Sequence, residues 1–411
     1  MKLFHTADLH LGKSVYGISM IDDQNHWIQQ FLSICREERP DAVLIAGDVY
    51  DRASPGQEAV ELLDLLLSSL SEEGIPVFMI AGNHDSGRKL SFASSLLAKE
   101  QVHITGTVQK ELMHTVLKDP DGCGPVTVWM LPYTFPEQIS RILEEEVRTY
   151  EEAFRKLLAV QQVDPAVRNI VLVHQNITQN GMEAERGGSE TSVGGIGQID
   201  FSVFDAFDYA ALGHIHSAYP VGRETVRYAG TPLCYHFEET RQKTKGFTEV
   251  ILKEKGIDPV VINRSIEPMH RMHYLPYSFE QVIQELENDT DTGGYYGIVL
   301  NDRRVTPEIR SHLSDLIALK EGRLLELTSS YRDEYSAADP SSLGTVQERP
   351  VEDLFTQLYT DINGGVSPDD DLQDVIDYVG ELVRSRDAHE KIDPKDIDRI
   401  LAFAAGKGER S

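Results

Sequence analysis

The chain has 411 residues, too many for one typical hydrophobic core, so we expect one large domain with one or two smaller units. Its formal net charge of −28 argues against a protein that coats nucleic acid by bulk electrostatics, because such domains are usually basic. Any phosphate ligand must therefore be attracted locally, by bound cations, a basic patch or a partner subunit.

The sequence gives no sign of a membrane or secreted protein. No stretch has the apolar length needed to cross a bilayer, and the N-terminus lacks the segment order of a signal peptide. Cys35, Cys123 and Cys234 are too far apart for a disulfide framework or a zinc ribbon. We expect a cytoplasmic protein with reduced cysteines and no membrane contact.

Strands and helices alternate along the first half of the chain. Apolar runs predict the strands 3–7, 41–46, 76–81, 126–131, 169–173 and 209–212. Helices are predicted over 22–38 and 58–70, an acidic helical stretch over 136–162, and a glycine-rich loop over 187–197. This alternation indicates an α/β domain with largely parallel strand pairing, in which ligands bind at the carboxyl ends of the strands.

Five of these strands end in side chains that can bind a metal or move a proton. These side chains are Asp8, His10, Asp48, Asn83, His84, His174, His214 and His216. Any one pair could be a turn or a cap, since Asn and Asp tolerate turn geometry. Five such endings together favour a metal site. The single histidines His5, His26, His236 and His312 are left out, because a lone histidine is more often structural.

The clustered oxygen and nitrogen donors suit Mn²⁺, Mg²⁺, Zn²⁺ or iron, and they are numerous enough for two ions. Two ions sharing a carboxylate can hold a phosphoryl group and activate a bound water, which predicts phosphoester hydrolysis. A very slow hydrolysis needs on the order of 20 kcal/mol of transition-state stabilisation, whereas one acid or base contributes about 10²–10⁴-fold. Metal ions must therefore provide most of the transition-state stabilisation. A non-catalytic metal site remains an alternative.

The pattern changes after residue 265. Residues 266–335 predict a small α+β unit, with strands over 269–275, 295–300 and 323–328. Its helices start near Ser278 and at Thr306-Pro307, where a cap residue precedes a proline at the first helical position.

The chain after this unit is predicted to be a linker and a helical tail. Residues 336–350 are polar and turn-forming, which is typical of a linker. Residues 351–411 contain two apolar stripes at helical spacing. These stripes either pack on the chain itself or dock on a partner.

The motifs Asp-x-His, Gly-Asp-x-x-Asp-Arg, Gly-Asn-His-Asp, a lone His and Gly-His-x-His occur in this order. They resemble the calcineurin-like metallophosphoesterase superfamily. More narrowly, the segments 5–13, 228–233 and 237–239 resemble the SbcD family, the nuclease subunits of bacterial SbcCD complexes. The resemblance covers residues 1–265 closely and implies a sandwich of two sheets flanked by helices, followed by a cap and C-terminal helices.

The same resemblance implies a role for each site residue. One Mn²⁺ ion would be held by Asp8, His10, Asp48 and His216. The other would be held by Asp48, Asn83, His174 and His214, with Asp48 bridging. His84 would be the proton donor, paired with Asp51, whose carboxylate would favour the imidazolium form. Arg52 would contact phosphate, and Asp85 is expected to support its corner instead of touching substrate.

The resemblance also implies partners and a biological role. It implies a DNA exonuclease and endonuclease in DNA repair, recombination and replication, acting with a coiled-coil ABC-type ATPase, SbcC. Residues 266–335 would face DNA, the tail would dock on the coiled coil, and the nuclease would form a homodimer within a heterotetramer. The candidates for a local basic patch are Lys13, Arg88, Lys89, Arg186, Lys243 and Lys245.

Two other functions stay open on the same scaffold, because fold and metals alone do not fix the substrate. The first is a phosphomonoesterase or cyclic-nucleotide phosphodiesterase. The second is a DNA-end-binding scaffold with little turnover.

Overall fold

The computed structural model describes residues 1–179, 197–241 and 245–331, and five residues in the tail: Thr356, Tyr359, Pro368, Gln373 and Ile376. Residues 1–331 form one compact unit and residues 332–411 form another. Most of the predicted loop 187–197, the linker 336–350 and nearly all of the tail 351–411 lie outside the described residues, as do Arg186 and Lys243.

The bounds of the regular elements in the described residues are as follows. The strands are β1 (Lys2–Thr6), β2 (Ser14–Val15), β3 (Ile18–Ser19), β4 (Ala42–Ala46), β5 (Val77–Ile80), β6 (Val102–Thr105), β7 (Met113–Leu117), β8 (Val126–Leu131), β9 (Arg168–His174), β10 (Ile177–Thr178), β11 (Ile199–Asp200), β12 (Tyr209–Gly213), β13 (Tyr219–Val221), β14 (Arg223–Tyr228), β15 (Gly246–Ile251), β16 (Val260–Ser265), β17 (Met272–Leu275), β18 (Tyr295–Leu300) and β19 (Arg323–Ser329). The α-helices are α1 (Ile21–Glu38), α2 (Gln57–Glu72), α3 (Gly87–Leu90), α4 (Ser94–Leu97), α5 (Pro136–Leu143), α6 (Tyr150–Ala159), α7 (Phe279–Asn288) and α8 (Pro307–Ala318).

Two six-stranded sheets form the body of the first unit. Their strand orders are β16-β15-β1-β4-β5-β6 and β13-β14-β12-β9-β8-β7. The neighbours from β1 to β6 and from β14 to β8 pair in parallel, whereas β15, β16, β7 and β13 pair antiparallel. The predicted α/β class with largely parallel pairing is confirmed.

The two sheets pack face to face over a shared apolar core. Leu44 and Phe78 from the first sheet and Leu172 and Ala211 from the second belong to this core and are fully buried. Helices α1 and α2 cover the outer face of the first sheet, and α5 and α6 cover the second. Burial on both faces explains why the central strands read as continuous apolar runs in the sequence.

The acidic stretch 136–162 differs from the single helical run that its composition predicts. Helix α5 ends at Leu143, its C-cap residue Glu144 takes a left-handed conformation with φ of 58°, and α6 begins after Thr149. The Thr149 side chain accepts a hydrogen bond from the Glu152 amide and so caps α6. A local backbone turn, which hydrophobic spacing does not reveal, therefore divides the stretch.

A third sheet, β17-β18-β19, forms the core of the small unit with α7 and α8. Its strands are all parallel and alternate with the helices, so the predicted α+β class of this unit is wrong and the order is α/β. The predicted caps are confirmed, because Ser278 accepts from the Gln281 amide and Thr306 from the Ile309 amide. The first strand begins at Met272, later than predicted. Buried Asp23 of α1 accepts a hydrogen bond from the His270 amide at 3.1 Å, which links the segment before β17 to α1.

Candidate metal centre

The predicted metal ligands follow the carboxyl ends of central strands in both sheets, and these ends meet at one edge of the sandwich. Four of the ligands have a left-handed backbone, with φ of 53° at Asp8, 44° at His10, 47° at Asp48 and 101° at His214. Such conformations are uncommon outside glycine and cost about 1–3 kcal/mol each. Their concentration at one edge indicates a functional site.

One half of the centre is formed by Asp8, His10 and His216, which are all buried. The Nε2 atoms of His10 and His216 are 3.1 Å apart. Asp48 lies beside this group, with its Oδ2 atom 3.8 Å from His10 Nε2.

The other half lies on the opposite side of Asp48. Asp48 Oδ2 is 3.4 Å from His174 Nε2. Asn83 Oδ1 is 3.0 Å from His174 Nε2 and 3.0 Å from His214 Nδ1. The structure therefore brings all seven predicted ligands together and places Asp48 between the two groups.

The protonation equilibria of these groups fit cation binding. Burial raises the pKa of Asp8 and lowers that of His10, so an ionised Asp8 needs a cation nearby and His10 stays a neutral donor. Burial disfavours a charged His174, but Asp48 raises the pKa of His174 to about 9. A metal that binds His174 must displace this proton.

The facing imidazole rings of His10 and His216 give a second test of whether the site suits a metal ion. The His216 Nδ1 atom is 3.1 Å from the Glu239 carboxylate, which favours a proton on Nδ1 and makes Nε2 the ring atom suited to bind a metal. This atom lies 3.1 Å from His10 Nε2, so one cation would satisfy both rings. The donor set therefore fits divalent metal ions.

The corner after β5 is braced by Asp85. Its carboxylate accepts hydrogen bonds from the amides of Gly82 at 2.8 Å, Val49 at 3.1 Å and Tyr50 at 2.9 Å. A Cβ atom on Gly82 would lie 2.1 Å from Asp48 Oδ1, so only glycine allows this approach. These contacts agree with the expectation that Asp85 supports the corner.

His84 lies at the mouth of the centre, with 41% of its side chain exposed and Nε2 3.9 Å from Asp48 Oδ2. Its Nδ1 atom forms a hydrogen bond with the backbone carbonyl of Asp51 at 3.0 Å and none with the Asp51 carboxylate. The Asp51 carboxylate instead binds Lys13 Nζ at 2.8 Å and lies 3.7 Å from His10 Nδ1. The predicted carboxylate pairing must therefore be corrected: Asp51 contacts His84 through its main chain.

The predicted phosphate contact and the candidates for a basic patch have different surroundings. Arg52, the predicted phosphate contact, is 74% exposed, and its Nε lies 3.6 Å from Asp51 Oδ2. Lys89 Nζ donates to the Ala53 carbonyl and to Ser54. Lys245 lies in the interior against Glu239 and so cannot belong to a surface patch.

Glu239 is a functional residue that the sequence analysis did not single out. It is 1% exposed, and its Oε2 atom accepts from Lys245 Nζ at 2.8 Å and from Thr231 Oγ1 at 3.3 Å. The carboxylate thereby fixes the ring orientation of His216. The segment 237–239 carries the resemblance, but nothing in it distinguishes Glu239 from Glu238.

Comparison with protein families decides the class of this centre. Residues 1–218 match the model of the calcineurin-like phosphoesterases. The chain belongs to this family. Phosphoesterases of this fold use divalent metal ions, in agreement with the donors described above, and the predicted phosphoester hydrolase class and two-sheet sandwich are confirmed.

Comparisons with individual proteins extend along the chain. The SbcD subunit of the nuclease SbcCD from Staphylococcus saprophyticus is 28% identical over 371 residues, which cover 89% of this chain and 94% of that protein. This match confirms the resemblance to the SbcD family. Residues 268–363 match the model of the type 5 capsule protein repressor C-terminal domain.

Two solved structures are more distant. A dimetal phosphatase from Danio rerio is 12% identical with a TM-score of 0.36, covering 64% of this chain and 99% of that one. The protein TT1561 of Thermus thermophilus is also 12% identical with a TM-score of 0.36, covering 64% of this chain and 98% of that one. These scores are too low to carry an argument.

Among the described helices, none combines the length and apolar character of a membrane span.

Proposed function

We propose that this phosphoesterase is a metal-dependent DNA nuclease, exonucleolytic and endonucleolytic, that acts with an SbcC-like ABC-type ATPase. The observation that carries the proposal is the convergence of seven metal-competent side chains beside an exposed His84. Similarity to the SbcD subunit of a nuclease over 89% of the chain supports the choice of DNA as substrate.

Different side chains have different roles in the proposed phosphodiester cleavage. The two ligand groups would hold a pair of divalent ions, Mn²⁺ in our proposal, which would supply water activation and charge neutralisation at the phosphoryl group. Asp48 lies between the two ligand groups and orders both. The Asp51 carbonyl holds His84 Nδ1, which directs Nε2 toward Asp48 and the mouth, where it donates a proton to the leaving oxygen. Arg52 contacts the phosphate from the rim.

The proposal includes partners and a role in the cell. The cap 266–335 faces DNA, and the tail 351–411 docks on the coiled coil of the ATPase. Phe92 and Leu96 are 82% and 64% exposed and offer an apolar surface for the homodimer of a heterotetramer. We place the complex in the cytoplasm, in DNA repair, recombination and replication.

The experiment compares DNA with small phosphate esters. Purified protein with Mn²⁺ is incubated with end-labelled duplex DNA, with p-nitrophenyl phosphate and with a cyclic nucleotide. Shortened or nicked DNA supports the proposal. Hydrolysis of the small esters beside intact DNA contradicts it in favour of a phosphomonoesterase or cyclic-nucleotide phosphodiesterase. DNA binding without turnover of any substrate contradicts it in favour of an end-binding scaffold.

A further inference from the structure

Two aromatic side chains stand beside the mouth of the metal centre, on the loop that follows β8. The rings of Tyr133 and Phe135 pack edge to face, with centroids 5.1 Å apart. The Tyr133 ring centroid is 6.4 Å from that of His214, and the two planes are inclined by only 30°. Phe135 is 44% exposed. Tyr133 therefore lies beside the ligands His174 and His214, and Phe135 packs against its ring.

The loop that carries these rings is fixed to the ligand-bearing segments. The Tyr133 amide donates to the Ala81 carbonyl at 2.9 Å, two residues before Asn83. Gln175, next to His174, donates through Nε2 to the Thr134 carbonyl at 2.6 Å. The aromatic rings therefore hold a defined position relative to the metal centre, as a substrate-binding group requires.

The stability of helix α5 does not explain why residue 135 is a phenylalanine. Phe135 occupies the N-cap position of α5, where Ser, Thr, Asp or Asn would accept a hydrogen bond from a free helix amide. A phenyl ring cannot accept this bond, and nearly half of its surface remains in contact with water. The residue type is therefore unfavourable at the N-cap and leaves part of an aromatic ring exposed next to Tyr133.

Tyr133 also lines a cavity of about 260 Å³. Gln138 and Arg141 line the same cavity, and Arg141 is exposed. The cavity thus combines an aromatic wall with an amide and a guanidinium. Arginine binds phosphate oxygens in a bidentate way and amides bind the edges of bases.

We propose that Tyr133 and Phe135 form a stacking platform for the unpaired nucleobase next to the scissile phosphate, with Arg141 contacting the adjoining phosphate. The inference rests on the proposed nuclease function and defines its substrate as a strand whose end is frayed or single-stranded. Aromatic rings bind any base through its π face, so the platform selects unpaired ends without reading sequence.

The test compares Phe135→Leu, which keeps apolar bulk but removes the π face, with Phe135→Trp, which retains one. The assay measures Mn²⁺-dependent cleavage of two DNA substrates. The two substrates differ only at one terminal position, which carries either a base or an abasic residue. Base stacking of about 1–3 kcal/mol corresponds to about 5- to 150-fold in kcat/KM. We expect wild type and Phe135→Trp to prefer the base by a factor in this range, and Phe135→Leu to lose the preference.

A binding measurement without turnover gives a second readout. With EDTA present, a terminal 2-aminopurine should lose fluorescence on binding wild type or Phe135→Trp, and keep it with Phe135→Leu. Equal base preference in wild type and Phe135→Leu, with equal fluorescence, would overturn the platform. Absence of DNA cleavage by wild type would overturn the nuclease proposal instead, so the two failures are distinguishable. Matched thermal unfolding of the variants confirms that they fold.

Discussion

Replacing Glu239 with glutamine tests whether a buried carboxylate orients a metal ligand. The change keeps the shape of the side chain but removes the charge that lies 3.1 Å from His216 Nδ1. It also leaves Lys245, only 10% exposed, without its ion-pair partner at 2.8 Å. The variant should therefore have two defects, one in metal affinity and one in stability.

The two effects have different expected sizes. Loss of a carboxylate behind a metal-bound histidine typically costs about 10- to 100-fold in metal affinity, or about 1.4–2.7 kcal/mol. Breaking a buried ion pair costs about 3–5 kcal/mol of stability. Lys245 keeps hydrogen bonds to the His216 carbonyl and to Thr231, so we expect the lower end of this range.

The assay titrates Mn²⁺ into the metal-free protein by calorimetry and follows urea unfolding in EDTA. Lys245→Met is the matched control, because it removes the ion pair but leaves Glu239 beside His216. We expect both variants to lose stability and only Glu239→Gln to lose metal affinity. Wild-type affinity in Glu239→Gln, or an equal loss in Lys245→Met, would refute an orienting role for the carboxylate.

Acid should reduce the difference between wild type and Glu239→Gln. Burial opposes ionisation of Glu239, but Lys245 and His216 hold its pKa below the ordinary value of 4.5. A depressed pKa stabilises the folded state above the unfolded-state pKa and loses this effect as the pH falls through the folded-state value. The difference in unfolding free energy should therefore be full above pH 4.5 and shrink below it.

Three further predictions address the corner, the proton donor and the tail. His84→Asn should lower DNA cleavage by about 10²–10⁴-fold while elemental analysis finds wild-type metal content; depleted metal would make His84 a ligand. Gly82→Ala places a Cβ 2.1 Å from Asp48 Oδ1 and should lose metal and stability, whereas Gly56→Ala, with nothing within 4 Å, should not; equal metal content in both would refute the steric role of Gly82. Deletion of residues 351–411 should preserve metal-dependent cleavage and abolish co-purification with the ATPase, and an unchanged complex would reject docking by the tail.

The arrangement of the strands and the metal ligands could be predicted because both depend on short patterns. An apolar run that stops at a polar side chain marks the carboxyl end of a buried parallel strand, and parallel strands bring these ends to one edge. This reasoning brings Asp8, Asp48 and His174 together. It needs no knowledge of side-chain conformation.

Contacts selected by long-range packing could not be predicted. The main-chain contact of Asp51 with His84 depends on the path of the loop after β4, and Lys13 competes for the carboxylate. The role of Glu239 depends on a contact with His216, 23 residues away. The end of α5 depends on the left-handed backbone conformation of Glu144. A residue other than glycine rarely takes this conformation, so the local sequence does not indicate it.

The facing rings of His10 and His216 have a consequence for folding. These residues are 206 positions apart and belong to different sheets, so the centre exists only after the two sheets have joined. A cation that binds there favours the folded chain over the unfolded one, by an amount that grows with the logarithm of its free concentration. Metal supply would then raise the stability of the folded protein as well as its activity, and a chelator would lower the denaturant concentration at which the sandwich unfolds.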